Sequence, residues 1–374
     1  MTIKRGWSQG LLAAAASAGM LLLGCSANSG DAGSSGGGSG GDTGGQYNSN
    51  GRLYVSLDLG GGNGTVAAVD ASTLSTLKQT LTTGLSGQIT VNNGDLFQAG
   101  MLGGSGDVRA IRAVLGRGAT VVFDPSQDVD VSLPSFVEPG SIALGRFGYW
   151  PVVADLQTAS PGGPAIHLLT RYLLGSITHQ QPSEHALVSN SVAGGAVAAV
   201  FYDNFHDRLF AARSDGVVDV FDGFVASTET RGGAPSVART ITPGSGGSKL
   251  SARFRGISYD RLSDTLFVAD VGDPAVLDDG RIYLIGSASS ASDADSGYVE
   301  PKRVLRGALT RLGNPVSLSY DGRGGLAVAD TAYDHIMIFA SVLNGTDANV
   351  APAVVSAPGV FGLSGTPISV SFPN

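Results

Sequence analysis

Of 374 residues, one is cysteine, Cys25. A lone thiol excludes any intrachain disulfide, so an exported domain of this chain must be held by its apolar core. Charge is also scarce: Asp, Glu, Lys and Arg make up 14% of the chain, and 23 basic residues face 31 acidic ones. That balance argues against nucleic acid as a partner and against an electrostatic grip on anionic lipid. Signatures of catalysis are thin. The histidines are His167, His179, His185, His206 and His335, and no two have the His-x-x-x-His spacing of a metal site. The glycine runs beginning at Gly60 and Gly103 precede no Lys-Ser or Lys-Thr pair, so both read as turns and not as phosphate loops. Apolar runs with helical spacing are missing too, which disfavours βαβ units.

What is present begins at the N-terminus. Lys4 and Arg5 precede an apolar stretch, residues 10–23, broken only by Ser17. It is too short to cross a hydrocarbon core of about 30 Å comfortably as a helix. The stretch ends in Leu22-Leu23-Gly24-Cys25, where a small residue gives a peptidase access and a thiol can carry a lipid. This resembles the lipobox of bacterial lipoproteins, with Leu23 a less usual residue at its second position. The resemblance implies that residues 1–24 are a signal peptide and that Cys25 is the lipidated N-terminus. An ordinary secretory signal, with Cys25 incidental, is the plain alternative. Ser26 stands where an Asp tends to retain lipoproteins in the inner membrane, so outer-membrane sorting is implied.

Beyond Cys25, up to residue 50, the chain is almost entirely Gly, Ser, Asn, Asp, Ala and Thr, which cannot bury a core. The expectation is a lipidated cysteine and flexible tether over 25–50, with a reach of roughly 25–30 Å, followed by one domain over 51–374. Loss of Lys4 and Arg5 with the signal peptide leaves 21 basic against 31 acidic residues, shifting the net charge from −8 to −10.

The domain repeats. Pro315-Val-Ser-Leu-Ser-Tyr-Asp321, Leu326-Ala-Val-Ala-Asp330 and Asp334-His-Ile-Met-Ile-Phe339 make one unit. Gly256-Ile-Ser-Tyr-Asp260 with Leu266-Phe-Val-Ala-Asp270 copies it, and Val200-Phe-Tyr-Asp203 with Leu209-Phe-Ala-Ala-Arg213 is the copy before. Weaker copies centre on Val152, Leu96 and Leu53. Each piece is a run of about five β-branched, aromatic or aliphatic residues bounded by Gly, Asp or Asn, which is the strand signature. Second-strand markers begin at 53, 96, 151, 209, 266 and 326, so the pattern predicts an all-β fold: a β-propeller of six four-stranded blades. Thr366-Pro-Ile-Ser-Val-Ser-Phe372 copies an innermost strand with no second strand after it, and Leu53 opens a second strand with no innermost strand before it. Pairing 366–372 with the first N-terminal blade closes the ring and hides both edges. The repeat is irregular between 115 and 137, where an insertion or a seventh partial blade stays open.

Leu326-Ala-Val-Ala-Asp330-Thr331 followed by Asp334-His335-Ile336 resembles the NHL repeat, with Asp334 in place of its Asn. Only this copy matches well. The resemblance implies a propeller and no particular activity.

Second strands of a propeller end on the face where ligands usually bind. They end here at Leu57, Gly100, Asp155, Arg213, Asp270 and Asp330. Asp155, Arg213, Asp270 and Asp330 are therefore candidate ligand-binding residues, and local turn capping by each Asp is the alternative. Asp270, Asp273, Asp278 and Asp279 crowd into ten residues, an oxygen-rich set suited to calcium, although the closing Glu of a calcium loop is absent. The reading that follows is an envelope-anchored, non-catalytic binding or scaffold module for a protein, peptide or glycan, held to the membrane through Cys25. A monomer is expected. The alternative is a divalent-metal-dependent hydrolase of the lactonase-like propeller type.

Overall fold

The computed structural model describes residues 51–373 apart from 76, 103–104, 133–136, 146–149, 157–163, 171–182, 189–195, 232–234, 251–252, 274, 295–296, 347 and 358–364. Cys25 and the stretches expected to be signal peptide and tether lie outside the described residues. No helix among the described residues is long and apolar enough to cross a membrane.

Six antiparallel sheets follow one another along the chain as six blades. Blade 1 is built from Thr366–Ser371, Arg52–Gly60, Asn63–Asp70 and Leu77–Thr82, counted from its inner strand outward. Blade 2 runs Ser86–Asn92, Asp95–Leu102, Ser105–Ile111, Val129–Ser132, and blade 3 Pro139–Gly145, Trp150–Asp155, Pro164–Thr170, Ser183–Val188. Blade 4 is Val197–Asp203, Arg208–Arg213, Val218–Asp222 and Arg239–Ile241. Blade 5 is Phe254–Asp260, Thr265–Asp270, Arg281–Gly286 and Arg303–Leu305, and blade 6 Pro315–Tyr320, Leu326–Asp330, His335–Phe339 and Val354–Val355. The inner strands touch in sequence around the ring, and the blade 1 strand touches that of blade 2.

Blade 1 joins the two ends of the domain. Its inner strand pairs antiparallel with Arg52–Gly60, setting Ser369 opposite Ser56 and Val370 opposite Val55. The irregular stretch is an excursion between blades. Thr120–Val122 leaves blade 2 and adds in parallel to the outer strand of blade 1, and the chain then returns as the outer strand of blade 2. There are six blades, and the insertion accounts for the irregularity.

The apolar pattern follows from this stacking. Alternate residues of a strand point to opposite faces, and both faces of each blade lie against a neighbour. Leu266 and Val268 pack into a cluster shared with blade 4, while Phe267 and Ala269 pack into one shared with blade 6. Six such clusters separate the six blades, one at each interface. Burying one side chain the size of Phe267 contributes about 2–3 kcal/mol, so each interface is a substantial core of its own.

Candidate functional site

The four candidate rim residues end second strands, as the repeat predicts, and all four are buried. Asp155 accepts the amides of Val137 and Glu138 at 2.8 and 2.6 Å, and His167 Nε2 lies 3.8 Å from it. Asp330 accepts the amides of Gly313, Asn314 and Ala332 between 2.8 and 3.1 Å. Burial pushes its carboxyl up, against the pull of those amides. Asp270 accepts from the Gly272 amide and the Tyr283 hydroxyl, with Arg281 Nε 3.7 Å away. Arg213 pairs with Asp215 and with Asp219, the latter at 3.3 Å. Each of these partners belongs to the same blade or to the segment leading into it. Asp155 and Asp330 pin the segment before their own inner strand to their own second strand.

The crowded acids are spread over separate partners. Asp279 holds Arg281 at 2.6 Å and accepts the Asp273 amide at 2.8 Å. Asp273 caps the Ala275 amide, and Asp278 accepts the Tyr333 hydroxyl at 2.6 Å. Among the described residues no three His, Cys, Asp or Glu side chains converge closely enough to hold a metal ion.

The inner strands enclose a cavity of about 470 Å³ along the ring axis. That is the size class of small-molecule sites. None of Asp155, Arg213, Asp270 or Asp330 lines it. Its walls mix Ile89, Ile142, Val200, Ile257 and Leu318 with Gln88, Thr90, Ser141, Ser258, Ser317 and Ser319. Several of the serines bridge adjacent blades through main-chain amides. Ser317 and Ser319 accept from Val370 and Phe372, Ser258 accepts from Tyr320, and Ser141 accepts from Val200. Edge amides that have no strand beside them are thereby satisfied.

The mouth lies where the inner strands end, on the face opposite the second-strand ends. It is edged by Asn92, Asn93, Asn204, Phe205 and Arg261. The turns that carry Asn204, Phe205 and Arg261 are built by a repeated Tyr-Asp pair. Asp203 accepts the Phe205 amide at 3.0 Å and meets His206 Nδ1 at 2.6 Å, while Asp260 accepts the amides of Leu262 and Ser263. Four residues on, Asp207 and Asp264 adopt positive φ of 51° and 49°. A short side chain able to hydrogen-bond locally tolerates that conformation best. Asp207 accepts the Tyr202 hydroxyl at 2.7 Å, and Asp264 that of Tyr259 at 2.9 Å. Burial and the Asp264 carboxylate hold the Tyr259 hydroxyl far above its ordinary value, so it stays a donor.

On these two turns Phe205 is 72% exposed and Leu262 70%. The Arg261 guanidinium lies over the Phe205 ring, 4.5 Å from its centroid, and His206 packs edge-on against the same ring at 4.8 Å. The Tyr-Asp repeats were visible in the sequence as turn signals. The meeting of Phe205 with Arg261 was not, since the two lie on different blades.

No family model matches the chain, and no curated protein matches it. Among solved structures, a chain of a nidogen/laminin complex is similar at 11% identity and a TM-score of 0.48, covering 86% of this chain and 97% of its own. The Cps50 (Swd1) β-propeller domain of Myceliophteria thermophila aligns at 14% identity and a TM-score of 0.47, covering 75% and 77%. Apo AztD from Citrobacter koseri aligns at 10% identity and 0.42, covering 86% and 97%. The six-bladed ring rests on the strand pairing described above. A β-propeller suits a binding or scaffold module in general.

Proposed function

We propose that this chain is a lipid-anchored display module: Cys25 holds it to the outer membrane, residues 26–50 space it from the bilayer, and the propeller binds a ligand through its axial channel without transforming it. The observation that carries the binding reading is the channel itself. It is a polar-walled cavity whose mouth is set by carboxylate-capped turns and edged by one exposed aromatic ring and one guanidinium. Rigid turns presenting an aromatic and an arginine are what recognition surfaces use, because little side-chain freedom is lost on binding.

Two measurements test it. Mass spectrometry and membrane fractionation of wild type and Cys25→Ser should find a lipid adduct and envelope association in wild type alone. Unmodified Cys25 in the wild type rejects the anchor. Hydrogen exchange of the full chain against arrays of glycans and peptides should protect amides of the inner strands. No protection by any member, with Ala199→Trp in the channel wall behaving as wild type, rejects the channel as a binding site.

A further inference from the structure

Resting on that reading, we propose that Arg261 is the anion anchor of the channel and that the ligand is a carboxylated sugar of the uronate type. Among the described residues, one carboxylic acid and one guanidinium line the cavity, Asp203 and Arg261. Asp203 is committed to its own turn through Phe205 and His206. Arg261 has no carboxylate or carbonyl partner among the described residues. It is half-buried and stacked on Phe205, which orients the guanidinium while leaving its N–H edge unused. Arg261 is thus the one cationic side chain lining the cavity among the described residues, and no direct ion pair takes up its charge. One planar fork of donors matches one planar monoanion, a carboxylate, in bidentate geometry.

The body of the ligand is read from the walls. Hydroxyl and amide groups such as Thr90, Asn92 and Asn204 alternate with Ile, Val and Leu side chains. That mixture fits a ring with hydroxyls on its edge and C–H groups on its faces. A folded partner does not fit a cavity of about 470 Å³. Such a carboxylated ring comes either as a free hexuronate or as the end of an acidic polysaccharide.

The test is calorimetric titration of the full chain in detergent with galacturonate, its neutral counterpart galactose, and a galacturonate tetramer. Galacturonate should bind at least tenfold more tightly than galactose, and the difference should shrink as ionic strength rises. Arg261→Gln should abolish the preference, and Phe205→Ala should weaken it several-fold, both with unchanged melting temperature because neither side chain is buried in a core. A tetramer that binds more tightly per chain than the monomer identifies a polysaccharide end, and equal affinity identifies the free acid; both outcomes support the proposal. Galactose binding as well as galacturonate, or Arg261→Gln keeping the preference, overturns it and leaves the channel reading intact. No binding of either sugar at millimolar concentration overturns it too. The channel reading falls with it only if the glycan and peptide arrays also leave the inner-strand amides unprotected.

Discussion

Ser369 accepts a hydrogen bond from the main-chain amide of Ile89 at 3.0 Å, across 280 residues of chain. Ser371 does the same for Val91 at 3.1 Å. Ser369 and Ser371 sit on the last strand of the domain, and Ile89 and Val91 on the inner strand of the second blade. The C-terminal strand thus completes blade 1 by pairing with Arg52–Gly60 and ties that blade to its neighbour.

Ser369→Ala should leave the Ile89 amide buried without an acceptor, at a cost of about 1–3 kcal/mol. Removing residues 366–374 should do far more, since it opens the ring and exposes an unpaired edge along Arg52–Gly60. Denaturant unfolding is expected to show a lower midpoint for the point variant and cooperative loss of structure for the truncation. An unchanged melting temperature for the truncation would sink the closure.

Asp330 holds three amides from a fully buried position. Asp330→Ala should destabilise the protein by roughly 3 kcal/mol or more, because several buried donors lose their acceptor together. Asp330→Asn should recover part of the loss. Ligand affinity of the folded fraction should not change, which separates this staple from a binding residue.

Asp219 is buried, and desolvation pushes its carboxyl up to about 6 despite Arg213 beside it. An acid with a raised folded value keeps its proton while the unfolded chain has already released one, so its contribution to stability declines as pH rises between about 4 and 6. Asp219→Asn removes this titration. The stability of wild type relative to Asp219→Asn, followed by thermal unfolding across that range, should fall with rising pH. A flat difference would show that Asp219 ionises normally.

Asp128 anchors the excursion between blades 1 and 2. Both of its oxygens accept from Arg117 Nη1, at 2.8 and 2.9 Å, and it accepts the amides of Arg112 and Asp124. Asp128→Ala leaves Arg117 with only the Val122 carbonyl and strips two main-chain amides of their acceptor, at a cost of about 1–3 kcal/mol. The expected signature is local: faster amide exchange over residues 120–122, with the inner strands still protected.

Much of the fold was legible. Blades 3 to 6 share local chemistry, so Tyr-Asp at the end of an inner strand and Ala-Asp at the end of a second strand marked turns wherever they occurred. The excursion was less legible. Thr120-Val-Val122 is too short to announce a strand, and its parallel partner lies forty residues earlier. Four of the six rim positions were read correctly as strand ends; the second strands of blades 1 and 2 run past Leu57 and Gly100 to Gly60 and Leu102. Whether Asp155 or Asp330 turns toward the axis or into its own blade depends on where Val137 or Gly313 sits, and no local pattern encodes that.

The sequence by itself pointed to six four-stranded blades and to closure at 366–372, while leaving a seventh partial blade open between 115 and 137, because period-two apolar runs and turn residues act over a few positions and recur in most units. The tertiary structure alone decided which face carries the cavity. It packed Phe210 against Tyr259 across one blade interface and set Arg261 over Phe205 at the lip. Those contacts join residues about fifty apart, and only the stacking of neighbouring blades brings them within reach.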